Sequence, residues 1–285
     1  MGILNVTPDS FSDGGLWLDV EAAVGHGVEM AAQGAAIIDV GGESTRPGAD
    51  PVEETKELDR ILPVVEELAD RLEAAISIDT RKASVARRAI EAGASIVNDT
   101  RGEGSDSSLL EVAAATGAGL VLMHSRGSPV TMRTLTAYED VVADVADWLR
   151  RRADEARRAG VPADAIVVDP GFGFAKTPGQ CLELLRRLGE LVALDYPVLV
   201  GTSRKSFITA VLEVDAGERL EGTAATVAWS VAQGAHIVRV HDVVPIVRVV
   251  RMIEAIRGTG PEPGGSPRAG GRAASPASAQ ASRAG

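Results

Sequence analysis

Residues 75–100 read AISIDTRKASVARRAIEAGASIVNDT: two apolar runs, AISIDT (75–80) and SIVNDT (95–100), with a helical pattern between them. Both runs are rich in β-branched residues and too short to be helices, which suits strands buried on both faces. Each ends in a polar cluster. Working outward, the same grammar recurs in GILNVT (2–7), AAIIDVGG (35–42), GLVLMHS (119–125), AIVVDPG (165–171), PVLVGTS (197–203) and IVRVHDV (237–243). Helical patterns separate the runs, so the chain alternates strand and helix eight times. That alternation predicts an α/β protein of one domain, a (β/α)8 TIM barrel.

The helices show in their spacing. Leu58, Leu62, Val65 and Leu68 fall on one face, as do Val141, Val145 and Trp148, and both faces are expected to pack on the barrel wall. Two connections, 8–15 (PDSFSDGG) and 43–51 (ESTRPGADP), are longer and richer in Gly, Pro and polar residues than a simple turn. Both follow strands, on the face where barrel enzymes keep their chemistry. The barrel is expected to span residues 1–257, and residues 258–285, with no large apolar side chain, to form a disordered Gly, Pro, Ala, Ser and Arg-rich tail.

A net charge of −11 over 285 residues argues against nucleic acid or an anionic membrane as partner, so any anionic ligand needs a local cluster of cations. The one cysteine, Cys181, leaves no internal disulfide and reads as helix packing in a reducing compartment. No stretch approaches the roughly 20 apolar residues of a membrane span, and no signal region precedes the first strand. A cytoplasmic protein is expected.

Asp79, Asn98 and Asp169 stand at or next to the ends of the third, fourth and sixth runs. Each singly reads as a helix cap. Three converging on one barrel mouth read better as a heterocycle site, since carboxylates and amides pair with the N–H edges of a guanidine-like ring and are costly to bury unpaired. Lys205, in GTSRKSF (201–207), combines a cation with the start of a helix, an anion site; Arg204 beside it reads as a solvated neighbour. Arg239 and His241 alternate with Val238 and Val240, share one side of the eighth run, and have no acidic partner there, since Asp242 lies on the other. A diphosphate would supply that partner, in the region where barrels commonly hold phosphate. Asn5 reads either as a turn former or as a ligand to a metal or phosphate. His26 and His236 read as surface residues, and His124 as either a core histidine or a pocket wall. No HxxxH or CxxC spacing suggests a caged zinc, and no GxxxxGK[ST] or GxGxxG loop a nucleotide fold.

Taken together, MGILNVTPDSFSDGG (1–15), DVGGESTRPGA (39–49), SIDT (77–80), ND (98–99), MHSRG (123–127), DPGFGFAKT (169–177), GTSRKSF (201–207) and RVHDV (239–243) resemble the dihydropteroate synthases, in a bacterial, actinobacterial-like form. The resemblance runs in family order to about residue 257. It departs at Ser125 and Arg126, where many members carry Met and Gln, and members usually have residues before the first strand. It implies condensation of 6-hydroxymethyl-7,8-dihydropterin diphosphate with p-aminobenzoate, with release of pyrophosphate, in folate synthesis. By resemblance, Asp79, Asn98, Asp169 and Lys205 hold the pterin, with Met123 beside it. Asn5 reaches a Mg²⁺, while Arg239, Val240 and His241 line the diphosphate. Thr45, Pro47, Phe174 and Ser206 match the p-aminobenzoate pocket, and Phe11, Asp13 and Arg46 lie on the closing loops. A homodimer is implied, with Trp229 at its interface or in the core. Pterin-dependent methyltransferases and a non-catalytic pterin-binding paralogue are the rival readings. The anion residues and the first loop argue against the former, the retained loop and SRK motifs against the latter.

Overall fold

The structure is a computed structural model and describes residues 1–7, 16–44 and 49–260. Six parallel strands pair in sequence order: β1 (Gly2–Asn5), β2 (Ile37–Gly41), β3 (Ala75–Thr80), β4 (Ile96–Asp99), β5 (Gly119–Met123) and β6 (Ile166–Asp169). Two short strands, β7 (Leu199–Val200) and β8 (Ile237–Val238), form a parallel pair of their own. Single parallel bridges join Val168 to Val198 and Gly2 to Val240, and Ile3 N–H donates to the Val240 carbonyl at 2.9 Å. The circuit of eight strands is thereby closed, as a TIM barrel.

Alternation along each strand sorts the side chains. Leu4, Ile38, Val40, Ile76, Ile78, Val97, Leu120 and Leu122 point outward into one core with the helices. The inner set includes Ile3, Asp39, Ser77, Asp79, Asn98, Val121 and Met123, all buried. Both faces are dry, as the apolar runs implied, but the inner face carries the polar groups.

The sixth and seventh connections each hold two helices, so the described residues contain ten where the alternation predicted eight. They are α1 (Leu16–Ala32), α2 (Glu54–Arg71), α3 (Ala83–Glu91), α4 (Ser108–Thr116), α5 (Val141–Ala159), α6 (Pro178–Arg186), α7 (Leu188–Val192), α8 (Ser206–Leu212), α9 (Leu220–Ala232) and α10 (Val243–Arg257). Helix α8 is stopped after seven residues where Glu213 turns left-handed at φ +56°. The wall-facing stripe of α2 also differs from the spacing: Glu57, Ile61, Val64, Val65 and Leu68 are buried, while Leu58 and Leu62 flank them partly exposed. Buried Glu57 is accommodated because Thr80 donates to it at 2.7 Å and Lys82 at 2.5 Å. On α5, Val141 and Val145 are buried and Trp148 is half-buried.

Candidate active site

The C-terminal ends of the strands gather the polar residues. Asn5, Gly41, Asp79 and Asn98 are successive register partners across β1 to β4, and Met123 pairs with Asp169 across β5 and β6. Gly41 leaves this row open: a Cβ there would lie 3.6 Å from that of Asp79. None of the three acids and amides caps a helix, since the residues at those positions are Lys82, Ser107 and Thr177.

Arg239 has the acidic partners that strand eight itself lacks. Its Nε donates to Asp39 Oδ2 at 2.6 Å and its Nη2 to Asp79 Oδ2 at 2.9 Å, across the barrel from β8 to β2 and β3. This corrects the expectation of an unpartnered cation, because partners in a closed barrel come from other strands. Asp39 opens the motif DVGGESTRPGA but has no role assigned from the sequence alone. Fully buried, it takes Arg239 and the Asn98 amide (3.2 Å) on one oxygen, while its other oxygen is buried without a partner. Its signal was present: a carboxylate between outward-facing Ile38 and Val40 must point inward.

Burial holds Asp79 above the ordinary carboxylate range, Asp39 adding to the shift and Arg239 and Thr100 (3.2 Å) opposing it. Burial likewise pushes Asp169 up to about 6, although the Gly171 N–H donates to it at 2.7 Å. Lys205 is lowered to about 8 by desolvation and by repulsion from Arg239, with Asp169 pulling the other way. Its ammonium lies 4.1 Å from the centre of the Phe174 ring. The mouth thus pairs ionisable groups whose environments draw them toward neutrality, the pattern of functional clefts.

His241 is held at Nδ1 by the Ser203 hydroxyl at 3.0 Å. Ser206 opens α8 and is exposed. Val240 is brought elsewhere, its side chain packed with Val227, Val231 and Ile246. Phe11, Asp13, Thr45, Arg46 and Pro47 lie outside the described residues. Arg204 is exposed and ion-paired with Asp242. His236 is exposed and accepts the Val198 N–H at 3.1 Å. His124 is buried against Lys176, a residue the sequence reading left unassigned. Among the described residues no group of three or more His, Cys, Asp or Glu could hold a metal, and no helix is long and apolar enough to cross a membrane.

A family model described as "Pterin binding enzyme" matches residues 1–241. The chain belongs to the pterin-binding enzymes. It is 47% identical over 257 residues to the dihydropteroate synthase of Synechocystis sp., covering 90% of this chain and 89% of that one. Against the Escherichia coli K12 dihydropteroate synthase it is 48% identical over 255 residues, 90% of each. A crystal structure of the Yersinia pestis dihydropteroate synthase in a sulfonamide drug complex superposes with a TM-score of 0.84 at 43% identity, covering 90% of this chain and 93% of that one.

Proposed function

We propose that the chain is a dihydropteroate synthase, joining 6-hydroxymethyl-7,8-dihydropterin diphosphate to p-aminobenzoate with loss of pyrophosphate. The observation that carries this is the mouth itself: buried Asp79, Asn98 and Asp169 facing Lys205 and Arg239 across one barrel end.

Asp79, Asn98 and Asp169 serve as the pterin's hydrogen-bonding rim, with Met123 along the ring and Lys205 at its polar edge. Loss of pyrophosphate leaves positive charge on the methylene carbon and the ring, and the two buried carboxylates stabilise that charge where it develops. Arg239 and His241 receive the negative charge that leaves. No protein nucleophile is needed, because the aromatic amine attacks the carbon directly. Phe174 and Ser206 form the described part of the p-aminobenzoate pocket; Thr45, Arg46 and Pro47 complete it in this reading, and Phe11 and Asp13 close over it to exclude water.

The donor set suits Mg²⁺ bound with its substrate. Asn5 would present a hard amide oxygen to it, in the register row that leads to Asp79. Bound there, Mg²⁺ neutralises charge on the leaving diphosphate.

Trp229, Met252 and Ile256 are exposed on α9 and α10, at 49, 62 and 68%. A homodimer that covers this face, in the cytoplasm, is part of the proposal. Trp229 also donates to the Leu185 carbonyl at 2.7 Å, so its ring is anchored at one edge and half exposed.

The deciding experiment is pyrophosphate release. It is expected only when the pterin diphosphate, p-aminobenzoate and Mg²⁺ are all present. Release without the amine, or none with all three, refutes the proposal.

A further inference from the structure

Behind Phe174 lies a polar cluster that the reaction described above does not use. Lys176 is 7% exposed. Its Nζ lies 2.9 Å from His124 Nδ1, 3.1 Å from the carbonyl oxygens of Gly171 and Phe174, and 3.4 Å from that of His124. An ammonium has three donors and no acceptor, so this ring of acceptors saturates it. With Nδ1 accepting, the His124 proton sits on Nε2, which faces Glu103 Oε1 at 3.6 Å. Burial and Lys176 push His124 down to about 4, which keeps it the neutral acceptor this requires. Glu103 in turn takes Arg126 at 3.2 Å, and Arg126 lies 3.8 Å over the Tyr138 ring. The ends of β5 and β6 are tied together through one buried amine, which desolvation lowers to about 7 and nearby Asp169 partly restores.

The loop that Lys176 closes carries Phe174. At its start, Gly171 has φ +69°, and a Cβ there would fall 1.9 Å from the His124 carbonyl, so the loop crosses directly over the end of β5. At its end, Thr177 and Gln180 form a reciprocal capping box on α6. Between these fixed points Lys176 binds the carbonyl of Phe174 itself. The ring's seat beside Lys205 therefore depends on a buried amine that holds the backbone behind it.

We propose that Lys176 is a positioning residue for the arylamine half of the reaction: by holding the Gly171 and Phe174 carbonyls it fixes the Phe174 ring and shapes the p-aminobenzoate pocket, touching neither substrate. This rests on the assignment of Phe174 to that pocket. The pterin rim stands on barrel strands and meets Lys176 only through Gly171, whose N–H donates to Asp169 at 2.7 Å, and through the charge of Asp169, so its response should be the smaller one.

The test is steady-state kinetics of Lys176→Met, which keeps side-chain length and removes the donors. KM for p-aminobenzoate is expected to rise on the order of tenfold, the effect of one charge-assisted contact. KM for the pterin diphosphate should stay within twofold, and kcat should fall less than the amine KM rises. Lys176→Gln, which restores an amide donor, should recover part of the loss. Equal changes in both KM values, no change in the amine KM, or failure of both variants to fold would overturn the proposal, the last by showing a purely structural lysine. A wild-type protein without activity sinks the functional reading instead, so the two failures are distinct.

Discussion

Asp79→Asn separates stability from recognition at one atom. Asp79 Oδ2 accepts Arg239 at 2.9 Å and Oδ1 accepts the Thr100 hydroxyl at 3.2 Å. An asparagine can satisfy both, its carbonyl toward Arg239 and its NH₂ toward Thr100, whose hydroxyl accepts as readily as it donates. Arg239 keeps Asp39 as its anion, so no buried charge is orphaned. The carboxyl's raised pKa means that its ionised form is a burden to the folded state, which grows as pH climbs above the unfolded value; an amide removes that burden. Stability should fall by no more than about 1 kcal/mol, roughly 2–4 °C in melting temperature, and a rise is consistent with the relieved carboxylate. The pterin loses a charged acceptor and meets a donor, which costs about 1.5–3 kcal/mol, or roughly 10- to 150-fold in affinity. Thermal melting and calorimetry with the bare pterin read the two quantities on one sample. Wild-type pterin affinity, or a melting temperature lowered beyond that window, would show that Asp79 serves the barrel rather than the substrate.

The pH profile of kcat/KM should be a bell. Its acid limb falls as pH drops through about 7 and then about 6, where Asp79 and Asp169 take up protons, and its alkaline limb falls above about 8, where Lys205 loses one; a flat profile from 5 to 9 would remove all three from the site. Turnover should require Mg²⁺, and Arg239→Ala or His241→Ala should weaken pyrophosphate binding more than bare pterin binding, which calorimetry with both ligands measures; unchanged pyrophosphate affinity in both variants ends the anion-site reading. Ending the chain at residue 260 should leave melting temperature and activity nearly unchanged, because residues 261–285 carry no large apolar side chain. A sulfonamide or p-aminobenzoate should bind poorly to the free protein and much more tightly with pyrophosphate and Mg²⁺, as reciprocal coupling between sites demands; equal affinity in both titrations would mean a preformed pocket.

The barrel was legible because its strands obey one rule, apolar toward the helices, and because their polar endings mark where each leaves the wall. The inward placement of Asp79, Asn98 and Asp169 at the strand ends could be read for the same reason. Asp39 was hidden by the company it keeps: a run with two isoleucines before it and a valine after it reads as apolar until the period-two alternation is applied to every residue in it. The partners of Arg239 were illegible from strand eight alone, since a closed barrel supplies them from strands 160 and 200 residues away in sequence. Lys176 stands inside the motif DPGFGFAKT, but nothing in its spacing gives it a role. It lies beyond the end of β6, in a loop without periodicity that left-handed Gly171, Gly173 and Ala175 turn inward.

The barrel is unevenly hooped. Six staves are laced by continuous ladders, whereas β7 and β8 share two register pairs and meet their neighbours through one bridge on each side. Lys205, Arg239 and His241 all follow from these two short staves, so the groups assigned to negative charge stand where the ladders are shortest. Local opening is cheapest there. Arg239, bound to carboxylates on β2 and β3, is then a rivet across the seam as well as a ligand-binding group. An anion that draws its guanidinium away from Asp39 and Asp79 loosens that rivet and must fasten the seam through its own contacts, so that occupancy of the mouth and closure of the wall become one equilibrium.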